Sequence, residues 1–145
     1  MNWTGASILS RLSLIGSEIG EASDECRLVE LTDDFKLEVS DIVLRSIALM
    51  EEFEIEVEDI NIIEVIEKHY KKFEGLTNLD SMAIFYEKLG SIIKKERKNK
   101  NIWKGLKTLV EYSYMIADIN DFDLDEIIDI KIEKNAKRGN KNRII

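Results

Sequence analysis

The chain has 145 residues with a formal net charge of −8, and 44% of the residues are hydrophobic. This length suits one domain with a real core, spanning residues 1–145, and the negative charge excludes a generic nucleic-acid binder. Cys26 is the single cysteine and no apolar run approaches the roughly 20 residues that span a bilayer, so we expect a cytoplasmic protein without membrane or nucleic-acid partners.

The chain contains no proline and is rich in helix-forming residues, which predicts an all-α bundle of about five to six helices. Gly16 and Gly20 lower the helix propensity of the first helix and are expected to let another helix approach closely, while Thr32 is expected to cap the second. The predicted helices cover about 5–28, 33–53, 54–73, 80–98, 102–119 and 123–138, followed by a frayed basic tail over 139–145.

Two pairs of carboxylates stand out in the first two helices, Glu18 with Glu21 and Glu38 with Asp41. Each pair is three residues apart, so a helix places both side chains on one face. Four carboxylates from two packed helices form an oxygen-rich cage that suits a hard cation, Mg²⁺ with Mn²⁺ as an alternative. The competing interpretation is an ordinary acidic surface. Arg45, one turn after Asp41, is expected to pair with it.

The order of helices suggests an internal duplication, with halves of about 5–73 and 80–138. A shift of 70 residues pairs 17–21 with 87–91, and a shift of 67 pairs 54–60 with 121–127. Every position of the second pair keeps its acidic or apolar class. Chance similarity between amphipathic helix starts is the alternative to an old duplication.

The two halves differ at the positions where chemistry would occur. Glu18, Glu21, Glu38 and Asp41 of the first half align with Lys88, Ser91, Gly105 and Thr108 of the second. Conversely, Lys131, Asn135 and Arg138 align with Glu64, Lys68 and Lys71, so only the last helix carries that full pattern. Complementary losses of this kind predict one composite site per chain.

These motifs together resemble a known enzyme family. The order ExxE, a 16-residue interval, ExxD and a terminal KxxxNxxR is similar to that of the all-α nucleoside triphosphate pyrophosphohydrolases, which include MazG, the dimeric dUTPases and the dCTP pyrophosphatases. The residues that carry the resemblance are 17–22, 37–42 and 131–138. Ser17 departs from the pattern, since many members have a further glutamate there.

The resemblance implies Mg²⁺-dependent hydrolysis of a nucleoside or deoxynucleoside triphosphate to the monophosphate and pyrophosphate. The four carboxylates would be metal ligands and catalytic residues, and one of them, or neighbouring Glu25, would accept a proton from water. Lys131 and Arg138 would neutralise the phosphate tail and Asn135 would donate to an oxygen. Lys88 is a further candidate for that tail, with a surface ion pair as its alternative.

Few features of the sequence indicate which residues would bind the base. Trp3 is the favoured aromatic for stacking on a base, whereas Trp103, Phe35, Phe85 and Tyr112 are expected to be core residues. His69 lies in a Lys-rich stretch that is expected to be exposed, and it is given no catalytic role. Stripes rich in Ile and Leu predict a homodimer. The alternative function is a catalytically retired helical interaction or regulatory protein on the same fold.

Overall fold

The computed structural model describes residues 4–27 and 30–143 and places the side chains of residues 8–27 and 30–138. This part of the chain is a bundle of α-helices and contains no β-strand, so the predicted all-α fold is confirmed. The six helices are α1 (Thr4–Glu25), α2 (Asp33–Glu52), α3 (Ile62–Phe73), α4 (Asn78–Arg97), α5 (Trp103–Ile119) and α6 (Leu124–Arg143).

Short polar side chains determine where three of the helices begin. Thr32 Oγ1 accepts a hydrogen bond from the Phe35 N–H at 3.0 Å, which confirms the predicted cap of α2. Thr77 caps α4 in the same way through the Asp80 N–H at 3.1 Å. Asn61 Oδ1 accepts from two N–H groups at the start of α3. These caps satisfy N–H groups that have no acceptor within their own helix.

The core lies between α1, α2, α4 and α5. Four apolar residues that lie at helical spacing on α1 are fully buried there: Leu12, Ile15, Ile19 and Ala22. Gly16 and Gly20 face α4, and a Cβ atom added to them would lie 3.2 Å from Leu89 Cδ2 and 2.9 Å from the Tyr86 hydroxyl, respectively. Both glycines therefore allow the close helix approach that the sequence predicted.

The predicted start of the third helix at residue 54 is wrong. Glu54 has a φ of 57°, and the chain then runs without helix to the Asn61 cap. Acidic and apolar residues alternate over 54–58, and in an extended chain this period of two sends them to opposite sides. Ile55 and Val57 accordingly pack against the core while the glutamates between them stay exposed. Acidic residues that suited a helix start instead form the outer face of an extended segment.

The last helix is longer than predicted. It continues to Arg143, so residues 139–143 are helical rather than a frayed tail, and residues 144–145 lie outside the described part. An ion pair between the exposed side chains of Lys137 and Glu133 at 3.5 Å, one turn apart, supports the helix just before these residues. The helix packs against α2 and slightly against α5. In the part of the chain that the structure describes, none of the helices combines the length and the hydropathy required to cross a bilayer.

Features of α2 recur in α5 with the predicted shift of 67 residues. Ser46 and Ser113 are both fully buried, and each donates its hydroxyl to the carbonyl four residues earlier. Both helices end in the same turn, with Glu54 and Asp121 at φ values of 57° and 58°. The halves then differ, because α3 begins at Ile62 and α6 at Leu124, so Glu64 lies in the first turn of α3 whereas Lys131 lies two turns into α6. The duplication itself stays a prediction.

Candidate functional site

One open cavity of about 470 Å³ is lined by residues from three helices. α1 contributes Glu18 and Glu21, and α2 contributes Glu38 and Asp41. A single carboxylate oxygen from each of Glu18, Glu38 and Asp41 can be chosen so that all three lie within 4.8 Å of one another. Glu21 lines the same cavity outside this tight group. Helical spacing of three places each pair on one face, and the packing of α1 on α2 brings the faces together.

The other side of the cavity is formed by α6, through Lys131, Asn135 and Arg138. Lys131 Nζ lies 3.1 Å from Asp41 Oδ2, and both side chains are mostly buried. The spacing of four and three residues keeps these α6 side chains on one helix face. The cavity therefore has an acidic wall and a cationic wall joined by this ion pair.

Two carboxylate oxygens in the cavity lack a hydrogen-bond donor. Glu18 is only 6% exposed, and its Oε1 accepts a hydrogen bond from Arg45 Nε at 2.9 Å. Within the described ranges, Glu18 Oε2 and Glu38 Oε2 are buried and have no partner. An acceptor that is buried without a donor costs roughly 1–3 kcal/mol or more, so natural proteins seldom leave one unmatched. Adjacent carboxylate oxygens of this kind fit a hard divalent cation.

Two carboxyl groups of the acidic wall, those of Glu38 and Asp41, have raised pKa values. Burial disfavours the charged form of Glu38, and the neighbouring carboxyl groups of Glu18 and Glu21 add to this effect, which raises the pKa of Glu38 to about 9. Burial also raises the pKa of Asp41, although the ammonium group of Lys131 opposes the rise. A bound cation would relieve the repulsion between carboxylates that adds to the effect of burial in both shifts.

Two residues predicted for the site, Glu25 and Lys88, do not line the cavity, and a third cannot be placed. The Glu25 carboxylate lies at the end of α1 and accepts a hydrogen bond from Thr32 Oγ1 at 3.1 Å. Lys88 does not line the cavity, and the charged side chains that act on it are Lys72, Lys95, Lys104 and Glu87. Trp3 lies outside the described residues.

The remaining aromatic candidates lie in the core or pack against it, as predicted. Phe35, Phe85 and Tyr112 are at most 2% exposed, so none is available to stack on a base. Trp103 is partly buried, and its ring packs against Phe53 with a centroid distance of 5.5 Å. No base-stacking residue is thus identified among the described side chains.

Two polar residues have partners that were not predicted from the sequence. Arg45 pairs with Glu18 on α1 and not with Asp41. His69 is buried rather than exposed, and its Nε2 lies 2.7 Å from Glu111 Oε1. Neither contact had a local signal, because the partners are 27 and 42 residues apart. Leu44 and Ala48, which also line the cavity, could have been found, since they follow Asp41 at helical spacing on the same face.

The structure thus defines, over its described residues, an all-helical protein with a cavity of mixed charge. The chain matched no protein-family model, and comparison with curated proteins and with solved structures gave no significant match either. The functional assignment therefore depends on the residues of the cavity.

Proposed function

We propose that this chain hydrolyses a nucleoside triphosphate to the monophosphate and pyrophosphate with the help of Mg²⁺ or Mn²⁺. The observation that carries the proposal is the meeting of two carboxylate pairs from α1 and α2 with Lys131, Asn135 and Arg138 of α6 at one cavity. The order of these motifs in the sequence, which resembles that of the all-α pyrophosphohydrolases, supports the nucleotide as substrate.

The donor set of the acidic wall fits a divalent metal. Glu18, Glu21, Glu38 and Asp41 would hold it, and the unpartnered oxygens of Glu18 and Glu38 would gain a positive partner. Such a metal supplies charge for the phosphate oxygens and lowers the pKa of a bound water. Arg45 holds Glu18 through Oε1, which leaves Oε2 free for this purpose.

The cationic wall would bind the phosphate chain. Lys131 pairs with Asp41, so its ammonium group can move to a phosphate oxygen once Asp41 has another counterion. Arg138 offers a guanidinium fork that matches a phosphate group, and the Asn135 amide can donate to a neighbouring oxygen. Because Glu25 is held by Thr32, the candidate acceptor of the water proton is one of the four cavity carboxylates.

A product assay tests this proposal. The protein is incubated with a panel of ribo- and deoxyribonucleoside triphosphates and Mg²⁺, and pyrophosphate and orthophosphate are measured separately. We expect pyrophosphate together with monophosphate, lost in Glu38→Gln and Asp41→Asn and retained in Glu67→Gln, which changes an exposed glutamate of α3. Release of orthophosphate alone would contradict the proposed bond cleavage. Binding of nucleotides without turnover of any of them would favour the retired binding protein.

We also propose that the enzyme acts in the cytoplasm as a homodimer. Nucleoside triphosphates are abundant there, and the single Cys26 suits a reducing compartment. Large apolar side chains remain exposed on several helices, including Ile63 at 66% and Ile132 at 51%. Burial of such surface between two copies would stabilise a dimer. Light scattering should give twice the chain mass, and a mass near 16.8 kDa at micromolar concentration would contradict this assembly.

A further inference from the structure

A group of lysines surrounds a close contact between α4 and α5. At this contact a Cβ atom added to Gly105 would lie 2.6 Å from Ile92 Cγ1, so the two helices approach to a distance that only glycine permits. Lys104 directly precedes Gly105 on α5. On α4, Lys88 lies four residues before Ile92 and Lys95 three residues after it, one turn away on either side.

A fourth lysine reaches this region from α3. Lys72 Nζ donates a hydrogen bond to the Tyr112 hydroxyl at 3.2 Å, and Tyr112 shares an α5 face with Lys104, two turns earlier. We call Lys72, Lys88, Lys95 and Lys104 the lysine cluster. Burial lowers the pKa of Lys88, and the other three lysines lower it further, so their ammonium groups are close enough to repel it.

The lysine cluster has no carboxylate partner that would balance its charge. Among the described side chains, the lysines that form ion pairs are four outside the cluster, Lys36, Lys68, Lys131 and Lys137, and no member of the cluster forms one. Glu87 acts favourably on Lys88, but less strongly than Lys72 or Lys95 acts against it. Lys104 also lies in the first turn of α5, where the helix dipole disfavours a cation. Four cations are thus held together in a protein whose net charge is −8.

We propose that the lysine cluster binds a compact polyphosphate anion, either an inorganic polyphosphate or the phosphate chain of a nucleotide, without a divalent cation. Lysines bind phosphate oxygens as point charges, and their four charges match the three or four negative charges of a di- or triphosphate. The positions around one helix contact favour a short anion over a nucleic-acid strand, whose phosphates would need a longer basic track.

This site is separate from the proposed catalytic cavity. In the predicted alignment, Lys88 occupies the position of Glu18, while Gly105 and Thr108 occupy those of Glu38 and Asp41. The first half thus presents carboxylates that suit a metal, and the second half presents cations that suit the phosphate itself. Binding at the lysine cluster needs no hydrolysis, so it can be tested whether or not the proposed activity is found.

The test is calorimetric titration with inorganic tripolyphosphate in low-salt buffer containing EDTA. We expect the double variant Lys88→Gln/Lys104→Gln to bind about tenfold more weakly than the parent protein, because two charge-assisted contacts are lost. The control Lys134→Gln/Lys137→Gln removes the same charge from exposed positions of α6 and should change the affinity by less than about twofold. Lys95→Gln/Lys104→Gln, which changes exposed lysines only, should repeat the loss with an unchanged circular dichroism spectrum.

Further ligands distinguish the source of the anion and the location of the site. Equal affinities for ATP and tripolyphosphate would support recognition of the phosphate chain alone, and tighter binding of ATP would support a nucleotide. Equal weakening in the cluster and control variants would overturn the proposal, because it would indicate nonspecific attraction. Loss of binding in Lys131→Gln would assign the anion to the cavity instead. Absence of binding at millimolar tripolyphosphate, or tighter binding of a single-stranded oligonucleotide, would also overturn it.

Discussion

Replacing Glu38 with glutamine should change the stability of the protein in opposite directions without and with a divalent cation. The pKa of Glu38 in the folded protein is raised from its ordinary 4.5 to about 9 by burial and by the nearby carboxyl groups of Glu18 and Glu21. Between these pH values the folded state keeps a proton that the unfolded chain releases. The contribution of Glu38 is therefore most favourable below pH 4.5 and is lost progressively as the pH rises towards about 9.

The size of the effect follows from this shift and from the position of the side chain. One pKa unit corresponds to about 1.4 kcal/mol, but Glu38 is only partly buried and solvent screens its charge, so the full shift overstates the energy. We expect Glu38→Gln to raise the free energy of unfolding at pH 8 by about 1–2 kcal/mol without metal, or the Tm by roughly 3–6 °C. The variant should also lose much of the decline in stability between pH 6 and pH 9.

With a bound metal, the parent protein should become more stable than Glu38→Gln. A cation at about a hundred times its Kd stabilises the parent protein by about 2.7 kcal/mol, whereas the variant has lost one ligand and should gain little. Thermal denaturation with EDTA and with millimolar Mn²⁺ measures both effects, and Glu67→Gln controls for removal of a carboxylate elsewhere. A variant that is less stable than the parent in EDTA would refute the argument from repulsion. Equal stabilisation of both proteins by Mn²⁺ would refute the metal assignment.

Other parts of the structure give further predictions. Arg138→Ala should raise the KM for the nucleotide about tenfold with little change in kcat, because this residue would hold the phosphate chain equally in the ground and transition states. Unchanged steady-state kinetics would show that α6 does not take part in substrate binding. Thr32→Ala should lower the free energy of unfolding in urea by about 1 kcal/mol through loss of the α2 cap, and an unchanged midpoint would show that the cap contributes nothing. In the same urea titration, Gly105→Ala should lower the free energy of unfolding by about 1–3 kcal/mol, because the added Cβ atom would meet Ile92. At Gly90 an added Cβ atom would have no neighbour within 4 Å, so Gly90→Ala should raise the free energy of unfolding by up to about 1 kcal/mol.

Helical periodicity explains which parts of the fold could be predicted from the sequence. The buried stripe of α1, the Thr32 cap and the common face of each carboxylate pair depend on residues within about one or two turns of each other. These local relations hold whichever element packs against the helix. The same spacing kept Lys131, Asn135 and Arg138 on one face of α6.

Features that depend on packing between helices could not be predicted in this way. The pairing of Arg45 with Glu18 requires the crossing geometry of α1 and α2, whereas the sequence indicated only Asp41, which lies one turn away on the same helix. Glu25 continues the spacing of Glu21, but α1 ends there and the returning chain brings Thr32 to its carboxylate. Residues 54–59 contain acids that suit a helix start and an alternation that suits an extended chain, and burial of Ile55 and Val57 decides between them.

Because α6 packs mainly against one other helix, it should unfold locally before the rest of the bundle. α1 and α2 pack extensively on each other, whereas α6 contacts mainly α2 and exposes every side chain from Ile132 to Arg138. Backbone amide hydrogens of α6 should therefore exchange with deuterated solvent sooner than those of α1 and α2. Detachment of α6 would release Lys131 from Asp41 while the carboxylates keep their arrangement. Affinity for a metal alone should then outlast affinity for a phosphate chain as the protein is warmed towards unfolding.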